Sequence, residues 1–554
     1  MKIEIEREVM KAMRDAGYDN PAFHTSYSFG SETVDSRHMN AEELQKLKEI
    51  CTLPEYHKDI ENRRVIRAIN NIQDLDKAGG NAKISNLQKM EEALIKFLQP
   101  LPHHWVFIEN KTHDVMLPYF IKNIKYHPPY NRGEDYIPAR LELKGEAFKQ
   151  GSKETPTISL HKSDLAGGKT VGDLLSDIGW IPETAEMVDQ YEADIAFFNE
   201  ASVKEGYQFL GKGLCSLGSD RWDRTIMNLE KKGSPSKVIM DNDEGEENKK
   251  TSCVIGSTMW VVLDRKKTKD EMEEEEDSSE TVHLPVHPFV TVFVLDVHQY
   301  GVMYIRNLTD YKYDAGLADK LVLSDDRREL IDLLIGSEQD GYSDIVEGKG
   351  KGVIILTSGV PGTGKTLTAE VFSEKVERPL YIIQCSQLGT DPDELEKLLA
   401  EVLERATRWG AILLIDEADV YIHERGADVV QNAIVGVFLR LLEYYSGVLF
   451  LTTNRETLVD DAIKSRVMAH VRYKLPDYDE KVKLWKILSE QYGANISPAV
   501  IKELVEDKSL KMISGRSIKQ LCRLSKALAN KRVVPIDKDL VKWVARFQDI
   551  ETGK

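Results

Sequence analysis

An apolar run, Val353-Ile354-Ile355-Leu356, leads into Gly359-Val360-Pro361-Gly362-Thr363-Gly364-Lys365-Thr366, and a helix-like pattern opens at Leu367. Strand, glycine-rich loop and helix in this order are the context that a phosphate-binding loop requires. Glycines at 359, 362 and 364 let successive backbone N–H groups turn inward on a polyphosphate, and a helix N-terminus behind them adds positive potential. Lys365 is placed to reach β- and γ-phosphates, and the Thr366 hydroxyl to ligate Mg²⁺. Pro361, Thr363 and Leu367 complete the expected contact set around a nucleoside triphosphate.

Three further strand candidates follow the loop: Tyr381-Ile382-Ile383, Ala411-Ile412-Leu413-Leu414-Ile415 and Val448-Leu449-Phe450-Leu451. Near-continuous apolar runs of this length suit strands buried on both faces of a parallel sheet. Between the second and third strands, Asp391 is positioned to cap a helix, Pro392 fits its first turn, and Leu395, Leu398, Leu399, Val402 and Leu403 form one stripe. The expected fold is α/β over 316–475, a parallel sheet with helices on both faces, followed by a helical region over 476–554. Residues 1–104 read as helical, with cap patterns at Asn40/Glu43 and Ser85/Gln88. Residues 105–315 read as a mixed, β-rich middle domain, with Val290–Leu295 and Val302–Ile305 forming a hairpin whose turn ends in Gly301. Inside it, an acidic insertion over about 265–280, centred on Asp270–Asp277, self-repels and reads as a disordered loop. A Gly/Lys stretch, Gly348–Gly352, precedes a strand instead of following one and so reads as a connection.

Asp416 and Glu417 end the Ala411–Ile415 strand. An acid at the exit of a buried strand beside a phosphate loop can hold Mg²⁺, and the carboxylate after it can orient and deprotonate a water. Asn454, at the exit of the fourth strand, is placed to position the same water; standing alone, it would read equally well as a strand cap.

The loop, Asp416-Glu417, Asn454 and a helical tail, taken together over roughly Asp344 to Phe547, resemble the AAA branch of the AAA+ ATPases. The segment from His287 to Arg466 resembles a poorly characterised bacterial and fungal group in which an N-terminal region of unknown function precedes the ATPase. His423-Glu424-Arg425-Gly426 and Gln431–Arg440 carry much of that likeness. The resemblance implies ATP hydrolysis with ATP and Mg²⁺ bound, and assembly as a homo-oligomer, in this family a hexamer, that remodels a protein client. It implies that Asp344 and Ile345 hold adenine and that Arg466, in Asp461-Ala462-Ile463-Lys464-Ser465-Arg466, is an arginine finger entering a neighbour's site. Arg516 matches a lid arginine that senses nucleotide in many AAA+ proteins; a surface residue at a helix start is the other reading of it. Threading members carry an aromatic–hydrophobic–glycine pore loop after the second strand. This chain has Ser386-Gln387-Leu388-Gly389-Thr390-Asp391-Pro392 there, with no aromatic, which leaves room for a second reading as a nucleotide-gated scaffold.

A net charge of −18 disfavours a general nucleic-acid or anionic-membrane partner. Five scattered cysteines (Cys51, Cys215, Cys253, Cys385, Cys522) suit free thiols in a reducing cytoplasm, and no apolar run has the length of a membrane span. A cytoplasmic location is expected. His103-His104 and the aromatics between Tyr126 and Tyr136 read as packing and surface, not as a second site.

Overall fold

A computed structural model describes residues 2–18, 31–35, 39–56, 62–67, 69–70, 82–132, 135–149, 152–204, 206–218, 225–230, 233–241, 260–262, 281–337, 352–455 and 458–547. The acidic run 270–277, Asp344, Ile345, Cys253 and residues 348–351 lie outside them. The chain divides into two compact units. One comprises Met1–Lys204, Leu210–Ser236 and Met240–Thr309; the other Glu205–Phe209, Lys237–Ile239 and Asp310–Lys554.

The first unit mixes helices with mostly antiparallel strands; Val286–His287 pairs in parallel with Phe148–Lys149. The capping box at Asn40/Glu43 is present, with bonds of 2.9 and 2.7 Å in the two directions. The second cap lies one residue later than expected: Asn86, not Ser85, accepts from Gln88 N and Lys89 N. A ribbon pairing Lys2–Glu6 with Ser31–Asp35 also breaks the helical reading of the N-terminus; Ile5 and Val34 bury one face of it, a period-two pattern too short to stand out in the sequence. The expected hairpin is Phe289–Val294 against Gln299–Tyr304, but Gly301 lies within the second strand opposite Val292. An added Cβ at Gly301 would sit 2.5 Å from Cys215 Sγ on the neighbouring strand Leu214–Leu217, so close strand packing, not a turn, demands glycine there. His103 Nδ1 lies 2.9 Å from Glu183 Oε2 and its ring packs on Trp105, while Tyr130 and Tyr136 are exposed, as packing and surface residues.

The second unit holds a five-stranded parallel sheet. Its elements are β1 (Val353–Gly359), α1 (Lys365–Lys375), β2 (Leu380–Gln384), α2 (Pro392–Arg408), β3 (Ile412–Asp416), α3 (Val429–Leu442), β4 (Val448–Thr453) and β5 (Ala469–Tyr473). The spatial order is β2-β3-β4-β1-β5, so β1 and β3 flank β4. Ile355, Ile412, Leu414 and Phe450 pack with Ala369 and Phe372 of α1, while Leu413 and Ile415 turn to the opposite face, where α2 and α3 lie, and are equally buried. Burial on both faces is why these strands are continuously apolar. Asp391 caps α2 with bonds of 3.1 Å to Asp393 N and Glu394 N, as its sequence predicts.

Four helices follow: α4 (Tyr478–Gln491), α5 (Pro498–Glu506), α6 (Gly515–Arg532) and α7 (Lys538–Ala545). Trp485, Leu504, Ile518, Leu521 and Val541 form their common core. Asp507 links α5 to α7, accepting from Ser509 N at 2.9 Å and Ser509 Oγ at 2.6 Å and pairing with Lys538 and Lys542 at 3.1 Å each. Burial raises its carboxyl pKa, but the Ser509 bonds and the two ammonium groups outweigh burial and hold it below the ordinary 3.8. A depressed acid contributes stability that is complete above its unfolded pKa and is lost as pH falls through the folded one. Asp507→Asn should therefore cost about 2 kcal/mol near neutral pH, and urea melts should show the two proteins converging in acid.

Candidate functional site

The chain leaves β1 through Gly359 at φ +140°, where an added Cβ would lie 2.0 Å from Tyr473 O on β5. Gly362, at φ +77°, faces the start of α6; a Cβ there would lie 2.7 Å from Arg516 Cβ and 3.0 Å from Ser514 Oγ. The loop is thus held between β5 and the helical tail at positions that exclude any side chain. Arg516 N donates to Gly362 O at 3.1 Å, so the expected lid arginine lies beside the loop, with its side chain exposed. Pro361 and Leu367 are also exposed at the loop's mouth.

Lys365, the first residue of α1, is 7% exposed. Its Nζ donates to Gly359 O at 2.8 Å, Val360 O at 3.0 Å and Asn454 Oδ1 at 2.8 Å. Burial lowers its pKa; Asp416 works against that shift and Arg516 adds to it. Such a partly desolvated ammonium, beside a second cation, gains from any anion placed on the loop. Thr363 Oγ1 donates to Val360 O at 2.7 Å and braces the turn.

Thr366 Oγ1 donates to Asp416 Oδ1 at 3.1 Å, bringing the two residues expected to hold Mg²⁺ together. Two hard oxygens, one of them anionic, suit that cation. Glu417 follows in the left-handed region at φ +55°, a conformation that costs a non-glycine residue about 1–2 kcal/mol. Its N–H donates to Thr452 Oγ1 at 2.9 Å, Cys385 Sγ donates to its carbonyl at 2.8 Å, and its side chain is exposed. Cys385 is half-buried at the start of a short helix, one residue past the end of β2. Its thiol pKa is pushed up to about 12 by burial and then by Asp419, Glu417 and Asp416.

Asn454 leaves β4 between the loop and Asp416, as its position in the sequence predicts. Arg466 does not reach this site within its own chain: it is exposed, 3.6 Å from Glu443 Oε2 and 3.4 Å from Ala462 O. Sequence reasoning missed Thr452, Thr453 and Ser514. Thr452 donates to Asp416 Oδ1 at 2.5 Å, and Thr453 donates to Asp419 Oδ1. Thr452 carried a usable signal, since residues two apart on a strand share a face and Asn454 was already singled out.

Residues 355–475 match the family model described as "ATPase family associated with various cellular activities (AAA)". These residues form an AAA domain. A putative 26S proteasome regulatory subunit homolog of Methanocaldococcus jannaschii is 30% identical over 30% of this chain and 46% of its own length. ATPase family AAA domain-containing protein 3A of Homo sapiens is 25% identical over 36% of this chain and 34% of its own length. Fidgetin-like protein 1 of Drosophila melanogaster is 26% identical, covering 34% and 38%. The chain spans about half the length of the first relatives it matches. The crystal structure of the FIGL-1 AAA domain in complex with ADP aligns over 40% of this chain and 77% of that one at 22% identity, with a TM-score of 0.32.

Among the described residues, no helix is long and apolar enough to cross a membrane. The four described cysteines are free, with Cys51, Cys215 and Cys522 buried.

Proposed function

We propose that the chain binds and hydrolyses ATP at its AAA domain and works as a homo-oligomer, a hexamer, that remodels a protein client in the cytoplasm. The carrying observation is the convergence of three separated segments: Lys365 on Asn454 at 2.8 Å and Thr366 on Asp416 at 3.1 Å. In this reading Gly359–Leu367 cradles the phosphates, and Lys365 exchanges its carbonyl partners for phosphate oxygens. Bound Mg²⁺, held by Thr366 and Asp416, supplies positive charge at those oxygens. Glu417 takes the proton of the attacking water, and Asn454 holds that water in line. Arg466 enters the site of a neighbouring copy, Arg516 contacts the nucleotide from the lid, and Asp344 and Ile345 contact adenine.

The division at 104/105, 315/316 and 475/476 belongs to the same proposal, as does kinship with the bacterial and fungal group. So does client selection by the region before the ATPase.

A second reading, a nucleotide-gated scaffold, is favoured by the segment after β2. Tyr421 OH lies 2.8 Å from both Cys385 O and Gly389 O, and Leu388 is buried, so this segment is pinned and offers no aromatic grip. Tyr421 itself is buried and stacks on Phe438, so it packs locally. Phosphate release by the purified chain with Mg-ATP tests the main reading, and absence of turnover would end it. Particle size with and without ATP separates the two: the scaffold assembles on ATP and shows no client-stimulated turnover.

A further inference from the structure

We infer that Thr452 is a positioning residue for the proposed hydrolysis, acting as a clamp that sets Asp416 and Glu417 in one arrangement. This inference rests on the ATPase reading and goes beyond it, because that reading gives the threonine no role.

Three successive residues at the exit of β3 hang on Thr452. Its Oγ1 donates to Asp416 Oδ1 at 2.5 Å and accepts from Glu417 N at 2.9 Å, while its carbonyl accepts from Ala418 N at 2.9 Å. A hydroxyl has one hydrogen to give, so these two bonds fix its orientation without ambiguity. Glu417 needs such a holder because its backbone lies in the left-handed region at φ +55°. The Cys385 thiol holds the same residue from the β2 side, at the carbonyl. With Thr452 itself 1% exposed, water is poorly placed to replace the hydroxyl. Two residues further along the same strand end, Asn454 meets Lys365. The end of β4 therefore touches both the phosphate-loop lysine, through Asn454, and the acidic pair, through Thr452.

Thr452→Val removes both hydroxyl bonds, keeps the shape of the side chain and leaves the Ala418 bond intact; Thr452→Ser keeps all three. The valine variant should lose about 10–100-fold in kcat, as expected for a base displaced by an ångström or less. Its affinity for a fluorescent ATP analogue should stay within about threefold, because the loop and Lys365 are untouched. The serine variant should restore kcat to within about threefold of wild type. Unchanged kcat in the valine variant, equal losses in both variants, or a loss confined to KM would each overturn the inference.

Hydrogen exchange over residues 412–422 reads the clamp without turnover. It should quicken in the valine variant and not in the serine variant, and unchanged exchange would overturn the clamp. A wild-type chain with no turnover would instead defeat the ATPase reading, with exchange still deciding the clamp. Thermal melts of both variants identify a general loss of folding, in which case the serine variant and its exchange decide the matter.

Discussion

Glu417→Gln is expected to lower kcat by about 10²–10⁴-fold while leaving ATP affinity within about threefold. The amide is nearly isosteric and keeps the backbone bonds to Thr452 and Cys385, so the turn at φ +55° survives. It cannot accept a proton from water at neutral pH. The side chain is exposed and the neighbouring Asp416 is half-buried, which makes replacement harmless to packing. Phosphate release together with titration of a fluorescent ATP analogue checks both halves of the expectation. A variant retaining more than about a tenth of the wild-type rate would remove Glu417 from the role of base. If the effect is as expected, the variant binds ATP without hydrolysing it, and affinity capture with it should enrich a client that is not released.

Arg466→Ala should reduce turnover by about 10³–10⁵-fold, the range for arginines that neutralise charge developing on a transferring phosphoryl group. Among the described residues, the Arg466 side chain meets Glu443 and Ala462 O and no residue of the phosphate loop, so the proposed role in hydrolysis is one played in a neighbouring copy. That geometry yields a sharper test than the single variant. Arg466→Ala retains its own Glu417, and Glu417→Gln retains its own Arg466. Mixing the two inactive proteins under exchanging conditions should restore turnover at the interfaces where an intact Glu417 meets an intact Arg466. No recovery at any mixing ratio, with assembly verified by particle size, would exclude action in trans.

The residues of the site were legible where chemistry and local geometry coincide. Gly359–Thr366 could be read because only glycine tolerates φ of +140° and +77° at 359 and 362, and Asp416-Glu417 because a charged pair interrupts an apolar strand. The apolar runs of β1, β3 and β4 announced a sheet covered on both faces. Gly301 was misread because a glycine forced by packing against Cys215 looks, in sequence, like a glycine forced by a turn. The helical cap at Asn86 was missed by one residue because Ser85 and Asn86 both suit the position, and only the backbone decides between them.

The sequence by itself determined the parallel α/β layer, its phosphate loop and the acidic and amide residues that gather around it, since each follows from burial period, glycine conformation or charge. Tertiary structure alone decided which groups restrain them. Thr452 reaches Asp416 and Glu417 only because β4 lies between β1 and β3, and Gly362 must be glycine partly because Arg516 and Ser514 come from a helix more than a hundred residues away in the chain. Strand order and long-range approach leave no local mark on residue spacing. A threonine that clamps a catalytic turn is therefore written in the same letters as one that merely fills a strand.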